Sequence, residues 1–210
     1  MKNHGSETAL ILIDIQNDFC PGGALEVADG DQIVPLVNKL QSIFSINILT
    51  QDWHPNNHKS FASNHQNKEP LSVTEMSYGP QVLWPDHCVQ DTQGSDFHSD
   101  LITKNSDLII RKGFRPGIDS YSAFYENDQS TPTGLEGYLK TRDIKTIYLC
   151  GLALDFCVYF SALDGVKLGF KVFVIQDACK AIDLEGSLAL SLDEMNSKGV
   201  NLISSSDLLS

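Results

Sequence analysis

Short apolar runs alternate with helix-length segments along this chain, and that alternation narrows the possible folds more than any other feature. Residues 9–13 (ALILI) are apolar without a break, the pattern of a strand covered on both faces. Comparable runs at 47–50, 107–111, 146–150, 171–175 and 200–203 predict the remaining strands. Between them, the spacing of Ile33, Leu36, Val37, Leu40, Ile43 and Phe44 predicts a helix with Asp31 as its N-cap and Pro35 tolerated near its start. Thr133 and Glu136 have the spacing of a capping box that opens a short helix. Residues 155–168 form a helix-length segment closed by Gly169, with Asp155 able to cap its first turn, and Leu188, Leu192 and Met195 mark a last helix. Strands alternating with helices predict an α/β fold: a three-layer, doubly wound, mostly parallel six-stranded sheet with right-handed crossovers. Ligands of such sheets lie at the carboxyl ends of the strands, near the switch point. Asp14, Asp52, Lys112 and Cys157 all fall at those ends.

One connection breaks the rhythm. Residues 53–106 are polar, rich in Asn, His and Ser, and far longer than an ordinary loop. Their aromatic residues and histidines favour a folded insertion over a flexible linker. With 210 residues and no internal repeat, the chain is predicted to be one domain, 1–210, carrying that insertion. A formal net charge of -12 argues against nucleic acid or an anionic membrane as partner, because both would repel it. No run is long enough to span a bilayer. The cysteines, at 20, 88, 150, 157 and 179, are odd in number, lack C-x-x-C pairing and follow no signal-peptide pattern, which predicts free thiols in a reducing, cytoplasmic setting. A monomer and a homo-oligomer are equally compatible with these features.

Two groups of residues carry chemistry. Cys157 is predicted in the first turn of a helix after a buried strand, where free N–H groups and the helix dipole favour a thiolate and lower the thiol pKa from about 8.5. The same N–H groups can hold an oxyanion. A carboxylate such as Asp14, if burial raises its pKa, can take the thiol proton, and a lysine such as Lys112 beside them offsets charge. Taken singly, Asp14 reads equally as a loop cap, Lys112 as a surface charge and Cys157 as core; their shared placement at strand ends favours chemistry. In the second group, Asp52 and His54 are alternate residues of an extended segment and so share a side. His87 would complete three N/O ligands that leave positions open on Zn²⁺, Fe²⁺ or Mn²⁺. Asp86 and His58 nearby are ligands, partners of ligands or solvated loop residues. Phe19, Trp84 and Tyr121 lie close in sequence to these groups, where aromatic walls either sandwich a flat ring or join the core.

These residues stand in stretches that, together, resemble the isochorismatase-like cysteine hydrolases, and their nicotinamidase branch in particular. The stretches are DIQNDF at 14–19, QDWHP at 51–55, HKSF at 58–61, WPDHCV at 84–89, KG at 112–113, DSYSAF at 119–124 and GLALDFC at 151–157. They follow one another in family order across most of the chain. The resemblance implies Asp14, Lys112 and Cys157 as a catalytic triad, and Asp52, His54 and His87 as ligands of one divalent metal, zinc foremost, with iron and manganese as alternatives. It implies a cis peptide between Leu152 and Ala153, an oxyanion hole from the N–H groups of Ala153 and Cys157, and substrate contacts from Phe19, Trp84, Tyr121 and Leu152. Leu154 stands where the family often has a threonine. The implied reaction is hydrolysis of nicotinamide to nicotinate and ammonia through a cysteine thioester, in NAD salvage, with pyrazinamide as a further substrate. Its alternatives are another amidase or an isochorismatase-type hydrolase of the same fold, and a silent binder of nicotinamide or metal.

Overall fold

The structure, a computed structural model, describes residues 5–209. Along the chain run β1 (Thr8–Ile13), α1 (Val34–Gln41), β2 (Asn47–Asp52), β3 (Val73–Met76), β4 (Gly79–Val82), β5 (Leu108–Lys112), α2 (Leu135–Thr141), β6 (Thr146–Leu152), α3 (Tyr159–Lys167), β7 (Lys171–Lys180), α4 (Ser187–Ser197), β8 (Asn201–Ile203) and α5 (Ser206–Leu209). The six predicted strands form one sheet in the order β5-β2-β1-β6-β7-β8, and every neighbouring pair is parallel. The order turns back on itself between β1 and β6, which makes that junction the switch point. β1 lies at the centre, its residues 9–13 at most 1% exposed, as their unbroken apolar run requires. At the junction Gly151 has φ 122°, and a Cβ there would lie 2.1 Å from the Ile13 carbonyl oxygen. Only a glycine lets β6 run this close beside β1.

Local capping departs from the sequence expectations at three places. Asp31 caps nothing: Gly30–Ile33 form a 3₁₀ turn, and α1 begins after it with Pro35 in its first turn. Thr133 and Glu136 form no capping box, because Gly134, at φ 104°, bends the chain away from it. Thr133 Oγ1 donates to the Ala123 carbonyl instead, and Glu136 pairs with Lys140 on the next turn. Asp155 leaves its own helix and accepts the N–H groups of Ile182 (3.0 Å) and Asp183 (2.7 Å) and the Ser187 hydroxyl, tying the loop before α4 to the end of β6. The segment predicted as one helix over 155–168 opens as a wide π turn, Leu154–Val158, before α3 continues it.

The long segment 53–106 is folded. β3 and β4 pair antiparallel as a separate hairpin, and single bridges join His54 to Val89 and Phe61 to Trp84. Phe61 and Trp84 are buried within it. Among the described residues, no helix is long and apolar enough to cross a membrane.

Candidate active site

The ends of β1, β2 and β5 and the turn after β6 bring four polar side chains together. Asp14, the first residue past β1, has φ 46°, a left-handed backbone that is costly for a residue with a Cβ. Thr50 of β2 holds it there: its hydroxyl donates to Asp14 Oδ1 (2.6 Å) and accepts the Asp14 N–H (3.1 Å). Lys112 closes β5 in register with Asp52 on β2. Its Nζ lies 2.9 Å from Asp14 Oδ2, 3.0 Å from Asp52 Oδ1, 2.8 Å from the Ser120 carbonyl and 3.5 Å from Cys157 Sγ. Asp14, Lys112 and Cys157, which the sequence places far apart, therefore meet at one ammonium.

Burial sets the protonation of this group. Burial would lower the Lys112 pKa, but the two carboxylates outweigh it and hold the ammonium well above its usual range. Asp14 goes the other way, its pKa raised by burial more than Lys112 lowers it. The Cys157 thiol is likewise pushed well above its ordinary range by burial, with Lys112 opposing and Asp14 and Asp52 reinforcing the rise. A thiol lowered by the helix terminus, as expected from sequence, is therefore not what the site presents. The sulfur rests as a thiol beside a carboxylate whose own proton affinity is raised, the arrangement of an acid and a base ready to exchange one proton.

Asp52 belongs to two groups at once. While Oδ1 faces Lys112, Oδ2 lies 3.0 Å from His54 Nε2 and 3.4 Å from His87 Nε2. Burial would raise the Asp52 pKa, but His54 and Lys112 hold it well below the usual carboxylate range. His54 Nδ1 is 2.8 Å from the Gly113 carbonyl and His87 Nδ1 is 2.8 Å from the Pro85 carbonyl. A carbonyl only accepts, so in each ring Nδ1 carries a proton, which leaves Nε2, on the Asp52 side, as the nitrogen that would ligate a cation in place of a proton. Two imidazole nitrogens and a carboxylate oxygen, all buried and within 4.8 Å of one another, form a donor set suited to a divalent cation. The residues present fit a metal.

His54, His58 and Asp119 also converge within 4.8 Å. In His58, however, Nδ1 accepts the Ser60 N–H (3.2 Å) and contacts the Ser60 hydroxyl at 2.7 Å, while Nε2 donates to the Ile118 carbonyl (3.2 Å). Burial, with the neighbouring His54 charge, pushes its pKa down to about 4. Both ring nitrogens are engaged, and the neutral ring packs 4.3 Å from that of His54 as a brace.

Beside these groups opens a narrow cavity lined by Phe19, Trp84, His87, Tyr121, Phe156 and Cys157, among others. Trp84 and Phe156 meet edge to face at 5.0 Å, and the Trp84 Nε1–H donates to the Tyr121 hydroxyl at 3.0 Å. Ala153 also lines the cavity, and the Leu152–Ala153 peptide is cis. Leu152 is placed differently from the expectation: fully buried and absent from the lining, its side chain packs beside Gly30. Phe156, Asp119, Leu25 and Ile182 line the cavity without having been assigned a role from sequence. The quoted GLALDFC and DSYSAF stretches contain the first two, and nothing marks the apolar pair. Asp86 is exposed and accepts from the Ser63 hydroxyl.

Fold and site together define a doubly wound α/β protein with its reactive side chains gathered at the switch point. Residues 8–207 match the Isochorismatase domain, and the chain belongs to the isochorismatase family. Within it the chain groups with the nicotinamidases: that of Acinetobacter baylyi is 55% identical over 201 residues, 96% of this chain and 94% of the relative. The solved nicotinamidase pyrazinamidase of Acinetobacter baumanii superposes with a TM-score of 0.97 at 55% identity, covering 98% of this chain and 100% of the other. The structure of the pyrazinamidase of Pyrococcus horikoshii in complex with zinc superposes with a TM-score of 0.74 at 37% identity, over 94% and 99% of the two chains.

Proposed function

We propose that the protein hydrolyses nicotinamide to nicotinate and ammonia through a thioester on Cys157. The observation that carries this reading is the single ammonium of Lys112, which touches both Asp14 (2.9 Å) and Cys157 (3.5 Å), the sulfur that opens onto an aromatic cavity. Asp14 takes the thiol proton as the sulfur attacks the amide carbon, and the N–H groups of Ala153 and Cys157 receive the oxyanion. The same proton passes from Asp14 to the departing nitrogen, which leaves as ammonia. Asp14 then removes a proton from water as it attacks the thioester, and the released sulfur takes that proton back. Lys112 stays charged throughout and balances whichever partner is anionic.

Phe19, Trp84, Tyr121 and Phe156 enclose the ring, and Leu152 acts through the cis peptide that presents Ala153 to the cavity. Asp52, His54 and His87 would hold one divalent metal, zinc foremost, as in the zinc-bound Pyrococcus relative. When bound, the cation supplies a Lewis-acidic position at which the ring nitrogen of the substrate is fixed. Pyrazinamide exchanges one ring CH for nitrogen and fits the same walls. The reaction places the protein in pyridine-nucleotide salvage. Five buried free thiols accord with a reducing, cytoplasmic setting.

Ammonia release from nicotinamide tests the proposal. The purified protein is expected to turn over, to stop when a chelator strips its metal and to recover with added zinc. Cys157→Ala should lose turnover by roughly 10³-fold or more while still binding nicotinamide. Turnover of the alanine variant near that of the unaltered protein would remove Cys157 from the mechanism, and activity indifferent to chelation would remove the metal.

A further inference from the structure

Gln81 is the one fully buried residue in the two strands of the inserted hairpin, 1% exposed between an exposed Pro80 and a half-buried Val82. It lies outside the cavity lining and touches neither the Lys112 cluster nor the metal ligands. Its amide nonetheless sits where the walls of the cavity are tied together. Nε2 lies 2.9 Å from Asp119 Oδ2, 2.8 Å from the Tyr121 hydroxyl and 2.8 Å from the Val82 carbonyl. Oε1 accepts from the Tyr78 hydroxyl (3.1 Å) and from Asn127 Nδ2 (3.0 Å). Because Asn127 can only donate through Nδ2, the orientation of the Gln81 amide is fixed.

We infer that Gln81 is a positioning residue for substrate binding, through which the inserted hairpin sets the distance and tilt of the cavity walls. Asp119 and Tyr121 both line that cavity. Asp119 is held at both oxygens, Oδ1 by the Ser120 N–H (2.8 Å) and Oδ2 by Gln81, and the held Oδ1 sits 4.0 Å from His54 Nε2. The Tyr121 oxygen receives Trp84 Nε1–H on one side and Gln81 on the other, so the two aromatic walls are locked through one hydroxyl. Two amide protons are shared among three acceptors, one of them the buried Asp119 carboxylate, and each loses a partner if the amide goes. Gln81 itself bonds to none of Asp14, Lys112 and Cys157; its one link toward them is indirect, through Asp119 to the Ser120 N–H and from the Ser120 carbonyl to Lys112, so its loss should weaken binding of the ring more than the chemical step.

This inference rests on nicotinamide as the substrate, and the experiment separates the two. Steady-state kinetics with nicotinamide are measured for the unaltered protein, Gln81→Leu, Gln81→Glu and Tyr121→Phe, with thermal midpoints alongside. Gln81→Leu is expected to raise KM about tenfold with kcat changed by less than about threefold. Gln81→Glu has the same shape but places an acceptor against Asp119, so it should raise KM at least as much, whereas a residue that merely packs would tolerate it. Tyr121→Phe, which leaves the hairpin intact, should raise KM in part. In the double variant with Gln81→Leu the two increments should fall short of multiplying, because they share one hydroxyl. An active unaltered protein with KM unmoved in Gln81→Glu, or with kcat falling instead of KM rising, overturns the positioning role and leaves the reaction standing. An unaltered protein that does not turn over nicotinamide overturns both. If the Gln81 variants do not fold, an unchanged KM in Tyr121→Phe is enough to overturn the inference.

Discussion

At the scale of single residues, the site depends on side chains that serve two neighbours at once and on a glycine that makes room for one of them. Gly113, at φ 65°, accepts the His54 ring proton on its carbonyl, and a Cβ at this position would sit 2.4 Å from His54 Cε1. A methyl group there must push the imidazole away from Asp52. Gly113→Ala is therefore expected to weaken metal binding roughly 10–100-fold, as loss of a ligand's supporting contact does elsewhere, and to lower activity at limiting metal while far-ultraviolet circular dichroism stays unchanged. Metal content after dialysis against a weak chelator measures it, and full retention by the variant would show that the ring can move aside without cost. The candidate ligands were legible in the sequence because the chain has only six histidines and Asp52 and His54 stand two apart on an extended segment. Gly113 and Pro85 were not, since they act through backbone carbonyls that every residue carries. Leu152 shows a related limit: the cis peptide after it is legible from the motif, but the direction of its apolar side chain is not.

Among the elements, those whose hydrophobic pattern leaves no alternative were readable, and the ones held by distant polar partners were not. The β1 residues 9–13 have to be covered on both faces, and they are. The hairpin of β3 and β4 escaped notice because its only fully buried residue is a glutamine. Asp155 has the position of a cap for the helix it begins, yet its partners lie at Ile182, Asp183 and Ser187. No local spacing announces a bond across that separation. The carboxylate is 3% exposed and takes two backbone N–H groups and a hydroxyl, so it fastens the loop before α4 to the turn that carries Cys157. Asp155→Ala would take the shared acceptor from two backbone N–H groups and a hydroxyl that are only partly buried, at a cost of about 1–3 kcal/mol. Chemical denaturation should show that loss with an unchanged m-value. Ile182 lines the cavity, so KM should rise in the same variant. A loss below about 0.5 kcal/mol would mean that the loop finds other acceptors.

For the whole molecule, the strand order explains why residues from four distant stretches meet: the chain leaves the sheet centre in both directions, and the gap this opens lies between β1 and β6. The alternation of strands and helices predicted such a gap, and Asp14 and Cys157 flank it. Charge acts at the same scale. With 27 acidic and 15 basic residues the surface carries a large negative excess, while the buried ammonium of Lys112 already offsets part of the charge of Asp14 and Asp52 at the site. Self-repulsion of the excess disfavours the compact state, and salt screens it over about 10 Å at 0.1 M and about 3 Å at 1 M. At pH 7 the thermal midpoint is thus expected to rise by several degrees as sodium chloride goes from about 20 mM to about 500 mM. Near pH 4.7, where the sequence carries no net charge, the same change in salt should do little. Calorimetric scans at both pH values, each with the metal loaded, separate the causes. An equal rise at both would point to salting-out of apolar surface, and a fall at pH 7 would mean that attractive surface pairs such as Lys140 with Glu136 outweigh the net repulsion.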